Sequence, residues 1–233
     1  MSAGFKDVFE VAMGADITAK NEAKEFIERM KDDKPFMTTS CCSGYIQLVN
    51  KHLKSMKPYV SDTLTPLHYT AKIVKEKMPD CTTVFVAPCV AKRTEGFADK
   101  YVDYVMSFEE MGALFIAKKI EVSECPEAEY DIESSKQARN FGVSAGVAEA
   151  VKKALNDEDM VKPLVINGIN KDSVAKLAKI AETGKCDEGC NLIEVMNCKG
   201  GCIGGVSTIN NQKTAQNLIK EAIEDSKDIE KID

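Results

Sequence analysis

Nine cysteines and only two histidines, His52 and His68, stand in a chain of 233 residues. Metal chemistry here must run on thiolates, which suit iron–sulfur clusters or zinc. The densest chemical segment is "NCKGGCIGG", residues 197–205. Cys198 and Cys202 frame Gly200 and Gly201, and Gly204 and Gly205 follow. Glycines let a backbone close round a bulky ligand and aim N–H groups at sulfur. Such a frame suits an iron–sulfur cluster better than a lone zinc ion, whose cysteine pairs commonly enclose two residues. A second segment, "TTSCCSGY", sets Cys41 beside Cys42. Neighbouring side chains on an extended backbone point to opposite sides, so one thiol can hold metal while the other faces elsewhere. A cubane needs four thiolates. Cys198 and Cys202 supply two. Cys89 of "APCVAKRTE" and one of Cys41 or Cys42 can supply the rest.

These thiols need elements to position them. Hydrophobic residues make up 44% and charged residues 29%, as in a globular protein. The net charge is -6 without a basic stripe, which argues against a nucleic-acid partner. No segment has the length and apolarity of a membrane span, and no basic flank leads an apolar run at the start. A cytoplasmic setting is expected, without a membrane partner. Apolar residues at helical spacing predict a helix over 18–31. "FMTT" reads as a strand, "GYIQLVNKHLKSM" and "HYTAKIVKEKM" as helices, and "TTVFVAPC" and "YVDYVMSF" as strands. The helix "EEMGALFIAKK" follows. Then come the helix "SAGVAEAVKKAL", the strand "PLVINGI", the helix "SVAKLAKIAE", the strand "NLIEVMNC" and the closing helix "TAQNLIKEAIEDSK". Strands alternating with helices predict an α/β fold of mainly parallel sheets flanked by helices. Three strands run into cysteine: "FMTTSCC", "VFVAPC" and "IEVMNC". Ligands at the carboxyl ends of parallel strands meet in one crevice, so distant cysteines can converge there. His52 and His68 read as ordinary polar residues on helices. "GVSAG", residues 142–146, reads as close helix packing rather than a phosphate-binding turn.

The three cysteine segments resemble the signature segments of the [FeFe]-hydrogenase catalytic domain. The resemblance rests on "TSCC" with an aromatic three residues on, "PCVAKRTE" and "EVMNCKGGCIGG", and on "VFEVAMGADIT" upstream. It implies two lobes with a cluster-binding crevice between them. It implies that Cys42, Cys89, Cys198 and Cys202 hold a [4Fe–4S] cubane. Cys202 would also bridge to a diiron subcluster carrying CO, CN⁻ and a bridging dithiolate, which completes the H-cluster. Cys41 would pass protons, Lys92 would hold a cyanide ligand, and Met196 would pack on the diiron site. Glu22, Glu25, Ser61 and Glu95 would be further proton carriers. On a helical wheel Glu22 borders the apolar stripe, and Glu25 lies farther round, toward solvent. The implied reaction is the reversible reduction of protons to H2. The implied partners are ferredoxin or a similar one-electron carrier and the hydrogenase maturation proteins, with homo-oligomerisation left open. The chain, 1–233, is expected to be one H-cluster-type domain. The first part of the usual domain and the accessory ferredoxin-like domains would be absent. Ser43 and Tyr45 depart from the family's proline and tryptophan, Ala87 from its methionine, and Lys199 and Val206 from its commonest pattern.

Three other readings compete. One is a hydrogenase-like iron–sulfur scaffold without a diiron site, as in nuclear prelamin A recognition factor-like proteins. A second is an H2-sensing protein, and a third is a zinc module. Cys81, Cys125, Cys186 and Cys190 remain outside the ligand set. Cys186 and Cys190 share the spacing of Cys198 and Cys202, yet the strand between should hold the two pairs at opposite ends of a sheet. They are expected to form a reduced, surface-near pair able to form a disulfide on oxidation.

Overall fold

Every residue of the strand Leu192–Met196 is buried, so it must lie at the centre of a covered sheet. The computed structural model describes residues 2–126, 133–186 and 189–232. In it this strand, β5, runs between β1 (Met37–Thr38) and β4 (Pro163–Asn167), and all pairings are parallel. Met37 pairs with Leu192, and Asn167 pairs with Met196. The period of two divides the strand. Leu192 and Met196 face one apolar layer, with Phe26 of α1 (Ala12–Lys31) and Val147 and Val151 of α7 (Gly146–Ala154). Ile193 and Val195 face the other, with Tyr45 and Val49 of α2 (Ser43–Lys51) and Leu177 and Ile180 of α8 (Lys171–Thr183). This gives the parallel, doubly covered sheet expected from the alternation of elements.

A second parallel sheet pairs β2 (Val84–Ala87) with β3 (Tyr104–Ser107). It carries α3 (Pro66–Lys77) before it, α4 (Ala91–Ala98) between its strands and α5 (Phe108–Ala117) after it. This lobe is thinly covered. Ser107 and Glu110 form a capping box that starts α5, yet none of that helix is buried and Ile116 is 81% exposed. An apolar groove of about 650 Å³ runs beside it, lined in part by Phe9, Phe85, Phe115, Cys81 and Cys125. The groove lies away from the other thiol segments. α6 (Lys136–Arg139) and α9 (Gln212–Ala222) complete the described helices. No described helix is long and apolar enough to cross a membrane.

Boundaries shift where local chemistry overrides periodicity. α1 starts at Ala12, six residues before its predicted start. α2 stops at Lys51, and residues 54–59 continue as a 3₁₀ turn that contains Pro58. His52 is therefore a C-cap rather than a helical residue. α9 ends at Ala222, short of its predicted end. α4 and α6 have no counterpart in the periodicity, being only 8 and 4 residues long.

Candidate metal centre

Three strand ends bring the thiols together. β1 delivers Cys41 and Cys42, β2 delivers Cys89, and β5 delivers Cys198 and Cys202. Cys42 is the N-cap of α2, and Cys89 immediately precedes the N-cap of α4. Both thiols thus sit at helix N-termini, where unpaired N–H groups favour negative charge. Cys198, Cys202 and Cys42 stand close enough to repel one another as thiolates, and Cys89 joins them. Burial pushes the Cys202 thiol up to about 11; Lys92 opposes the rise, and Cys42, Cys89 and Cys198 add to it. Burial likewise raises Cys198, while N–H donors from Asn197 and Val206 pull it back. The Asn197 backbone N–H donates to the Cys42 sulfur at 3.3 Å. Free thiols crowded in this way hold an unfavourable cluster of potential charge, which a cation or cationic cluster would relieve.

The loop after β5 is shaped as a cradle. Gly200 and Gly201 have φ of 85° and 87°, which a side chain would strain. A Cβ on Gly204 would stand 2.2 Å from the Lys199 carbonyl oxygen, and one on Gly205 2.4 Å from that of Pro88. Asn167, at the end of β4, accepts the Gly200 N–H at 2.5 Å. Among the described residues no three His, Cys, Asp or Glu side chains gather tightly enough for one metal ion. A cubane presents four irons at separate corners, so its ligands stand wider apart. Four converging thiols, N–H donors aimed at two of the sulfurs and a glycine cradle together fit an iron–sulfur cluster.

Cys41 packs on the apolar layer covered by α1, beside Glu22, and stays near Cys42 and Cys202. Burial pushes its thiol well up, Glu22 and Cys42 add to the rise, and Lys92 opposes it. Lys92, on the first turn of α4, donates to the Cys41 carbonyl at 3.1 Å and to Glu95 at 2.7 Å. Burial lowers the Lys92 ammonium, but Glu95, with Cys41 and Cys202, holds it above the ordinary lysine range. Glu95 also accepts from Ser43 and Thr65, so one carboxylate ties α4 to α2 and to the start of α3. Met196 is 2% exposed at the end of β5, in the layer that also holds Cys41 and Cys42.

Glu22 is completely buried. Its Oε1 accepts the Ser40 N–H at 3.2 Å, and its Oε2 has no partner among the described residues. Burial raises its pKa to about 8, the Ser40 N–H and the nearby Ser61 hydroxyl oppose the rise, and Glu25 and Glu194 add to it. Ser61 donates to Glu25 at 2.6 Å. Glu25 does not face solvent as the helical wheel predicts. The segment after the 3₁₀ turn folds over it, and its carboxylate takes N–H groups of Asp62 and Thr63, the Thr63 hydroxyl and the Arg29 guanidinium. Those bonds overcome burial and hold Glu25 below the usual carboxylate range. Cys41 thus has Glu22 as an electrostatic neighbour, Glu22 has Glu25, Ser61 donates to Glu25, and Arg29 beside Glu25 meets the exposed Asp62.

The sequence model for the "Iron only hydrogenase large subunit, C-terminal domain" matches residues 1–206. The chain belongs to this family. It is 29% identical to iron hydrogenase 1 of Clostridium pasteurianum, across 87% of this chain and 43% of that one. It is 26% identical to the nuclear prelamin A recognition factor of Danio rerio, across 88% of this chain and 56% of that one. The chain thus spans about half the length of these curated relatives. A solved [FeFe]-hydrogenase, studied for oxygen damage to its H cluster 2Fe subcluster, superposes with a TM-score of 0.71. That superposition covers 96% of this chain and 76% of the other at 20% identity, which fixes the fold.

Several departures from the hydrogenase pattern have local partners. Tyr45 is fully buried, and its hydroxyl meets Thr38 at 2.9 Å. Ser43 binds Glu95 directly. Ala87 is buried at the end of β2. Cys186 and Cys190 stand at disulfide distance, with Cα atoms 5.3 Å apart, as a pair able to join on oxidation requires, but Cys190 is 7% exposed and so lies deeper than expected. His68 meets Asp99 at 2.6 Å, an ordinary polar tie. Sequence reasoning missed Asn167, Thr65 and Glu194, which support the site through space. The one local sign was Glu194 itself, a lone charge inside the apolar run "LIEVM".

Proposed function

We propose that the chain binds a [4Fe–4S] cubane through Cys42, Cys89, Cys198 and Cys202 and, with a diiron subcluster attached at Cys202, interconverts protons and H2. When bound, the cluster supplies electron storage and an open iron for hydrogen chemistry. The protein's share is position, charge and protons. Lys92 is a buried ammonium beside Cys41, held in place by Glu95. It suits a small anionic ligand in the crevice. Cys41 is a buried thiol whose pKa burial raises, and with Glu22 beside it the pair suits a proton exchange next to the thiols. Glu22, with its pKa near neutrality and a free oxygen, suits the next position, and Ser61 leads on to Glu25. Glu95 makes no hydrogen bond to that series among the described residues and serves to hold Lys92.

The observation that carries this reading is the grouping of Cys41, Lys92 and Glu22 beside the four thiols. A cubane alone needs none of the three. The test is anaerobic maturation with the diiron cofactor followed by infrared spectroscopy. CO and CN⁻ stretching bands are expected, and a cubane without such bands would overturn the diiron assignment. A cubane-only scaffold is the second reading, favoured by the likeness to the nuclear prelamin A recognition factor. We further propose a one-electron carrier such as ferredoxin as electron partner, hydrogenase maturation proteins as the source of the diiron group, and a cytoplasmic setting.

A further inference from the structure

Glu194 belongs neither to the thiol set nor to the proton series, yet it is completely buried. It lies on β5 between Leu192 and Met196, on the face covered by α1 and α7. A carboxylate in such a layer must be compensated. Its two oxygens accept the N–H groups of Ala145 at 2.7 Å and Ala148 at 2.8 Å. Those donors open α7, whose own N-cap residue, Ala145, has no side chain able to cap. Ala145 also stands at φ 77°, a left-handed conformation that costs a non-glycine residue about 1 kcal/mol. A residue from a different element therefore caps this helix and holds a strained turn.

That turn is fastened to the cluster loop. Ser144 donates its N–H to the Gly200 carbonyl at 3.1 Å, and Val143 forms an antiparallel bridge with Gly201. A Cβ on Gly201 would stand 2.6 Å from the Gly142 oxygen and 2.7 Å from the Ser144 nitrogen. A Cβ on Gly142 would meet the Cβ of Cys202 at 3.6 Å. Displacement of residues 142–146 is passed directly to the backbone between Cys198 and Cys202.

We propose that Glu194 is a positioning residue for the iron–sulfur site: by pinning the 142–146 turn it sets the backbone path from Cys198 to Cys202. It acts through Ala145 and touches no thiol. The proposal rests on the four thiols being cluster ligands. A carboxyl group suits the task because it offers two oxygens to the positive end of a helix; burial raises its pKa, and the N–H groups of Ala148, Ala145 and Val147 oppose the rise. Glutamine offers one acceptor and turns an NH2 group against a backbone N–H.

The experiment compares the full chain with Glu194→Gln and with Ile180→Val, a core change on the opposite face of the sheet. The cubane is reconstituted anaerobically, and two properties are read: the electron paramagnetic resonance spectrum of the reduced cluster and the rate of iron release to a chelator. Glu194→Gln is expected to alter the spectrum and to speed release about tenfold, while Ile180→Val leaves both unchanged. Adding Ala145→Gly, which relieves the left-handed strain, is expected to recover part of the change. A wild-type spectrum and release rate in Glu194→Gln would overturn the proposal, and so would a complete failure of Ala145→Gly to recover any of it. Hydrogen exchange at the Ser144 and Gly201 amides of the iron-free chain gives a second readout. It is expected to quicken in Glu194→Gln, or in Glu194→Asp if the first variant does not accumulate, and unchanged exchange would overturn the proposal. If the wild-type chain takes up no iron, the cluster reading fails, and the exchange result still decides the role of Glu194 in holding the turn.

Discussion

Two cysteine pairs with the same spacing flank β5, and they become different objects. At its amino end Cys186 and Cys190 are joined, with Cα atoms 5.3 Å apart. At its carboxyl end Cys198 and Cys202 remain free thiols. The spacing is common to both, so the surroundings decide. Among the described residues it is the carboxyl end that receives thiols from other strands: Cys42 follows β1, which runs parallel to β5, and Cys89 follows β2 of the second sheet. Both ends use glycines at positive φ, but among the described residues it is the carboxyl-end loop that sets two of them side by side, Gly200 and Gly201, and is held by Asn167 and Ser144. Cys81 and Cys125, the remaining thiols, line the groove of the other lobe and give the amino-end pair no help.

The comparison breaks first on ligand removal. Cys42→Ser should lose nearly all cluster iron, whereas the double variant Cys186→Ser/Cys190→Ser should keep about four irons per chain before diiron loading. Iron and sulfide analysis after anaerobic reconstitution checks both, and a loss of iron in the double variant would make the amino-end pair a ligand. Cys41→Ser sharpens the contrast within the adjacent pair. Iron and infrared bands should survive, and H2 turnover should fall by about a hundredfold or more, since a serine hydroxyl is too weak an acid to relay protons. Normal turnover would remove Cys41 from the proton series.

Glu22 supplies a pH test. Its folded pKa lies near 8 and its unfolded value near 4.5. The folded state therefore binds more protons between those values, and stability contributed by the neutral carboxyl is lost as pH rises through that window. The slope is at most about 1.4 kcal/mol per pH unit. Glu22→Gln should flatten it, as denaturant titrations of the iron-free chain at several pH values would show; an unchanged slope would mean that Glu22 does not titrate there. The smallest effect is expected from reducing the Cys186–Cys190 bond. It closes a very short loop, so its loss should cost no more than about 2 kcal/mol and should leave the cluster spectrum unaltered.

Much of this was legible in the residues themselves. β5 is an apolar run broken only by Glu194 and followed closely by Cys198, and the glycines after it point to a wrapped ligand. Parallel pairing of β1 with β5 puts Cys42 and Cys198 at one end of their sheet, and the structure adds Cys89 from the second sheet. What stayed hidden depends on partners distant in the chain. Glu25 shares its helix with exposed residues, and only the fold of residues 61–63 reveals its partners. α4 is too short to show a period, yet its first two turns set Lys92 against Glu95. Glu194 finds its donors on a helix start that shows no local capping signal.

The convergence of strand ends from both sheets also has a kinetic consequence. The proposed ligands run from Cys42 to Cys202, so such a set would be complete only after most of the chain has been synthesised. Contacts this distant in sequence close late, because loop-closure entropy must be met before they form. During translation the earlier thiols exist without their partners, exposed to oxidation or to stray metal. On the proposed function, insertion of the cluster would be an event of the finished chain, in competition with those side reactions, and the yield of cluster-loaded protein should depend on how quickly the two sheets meet.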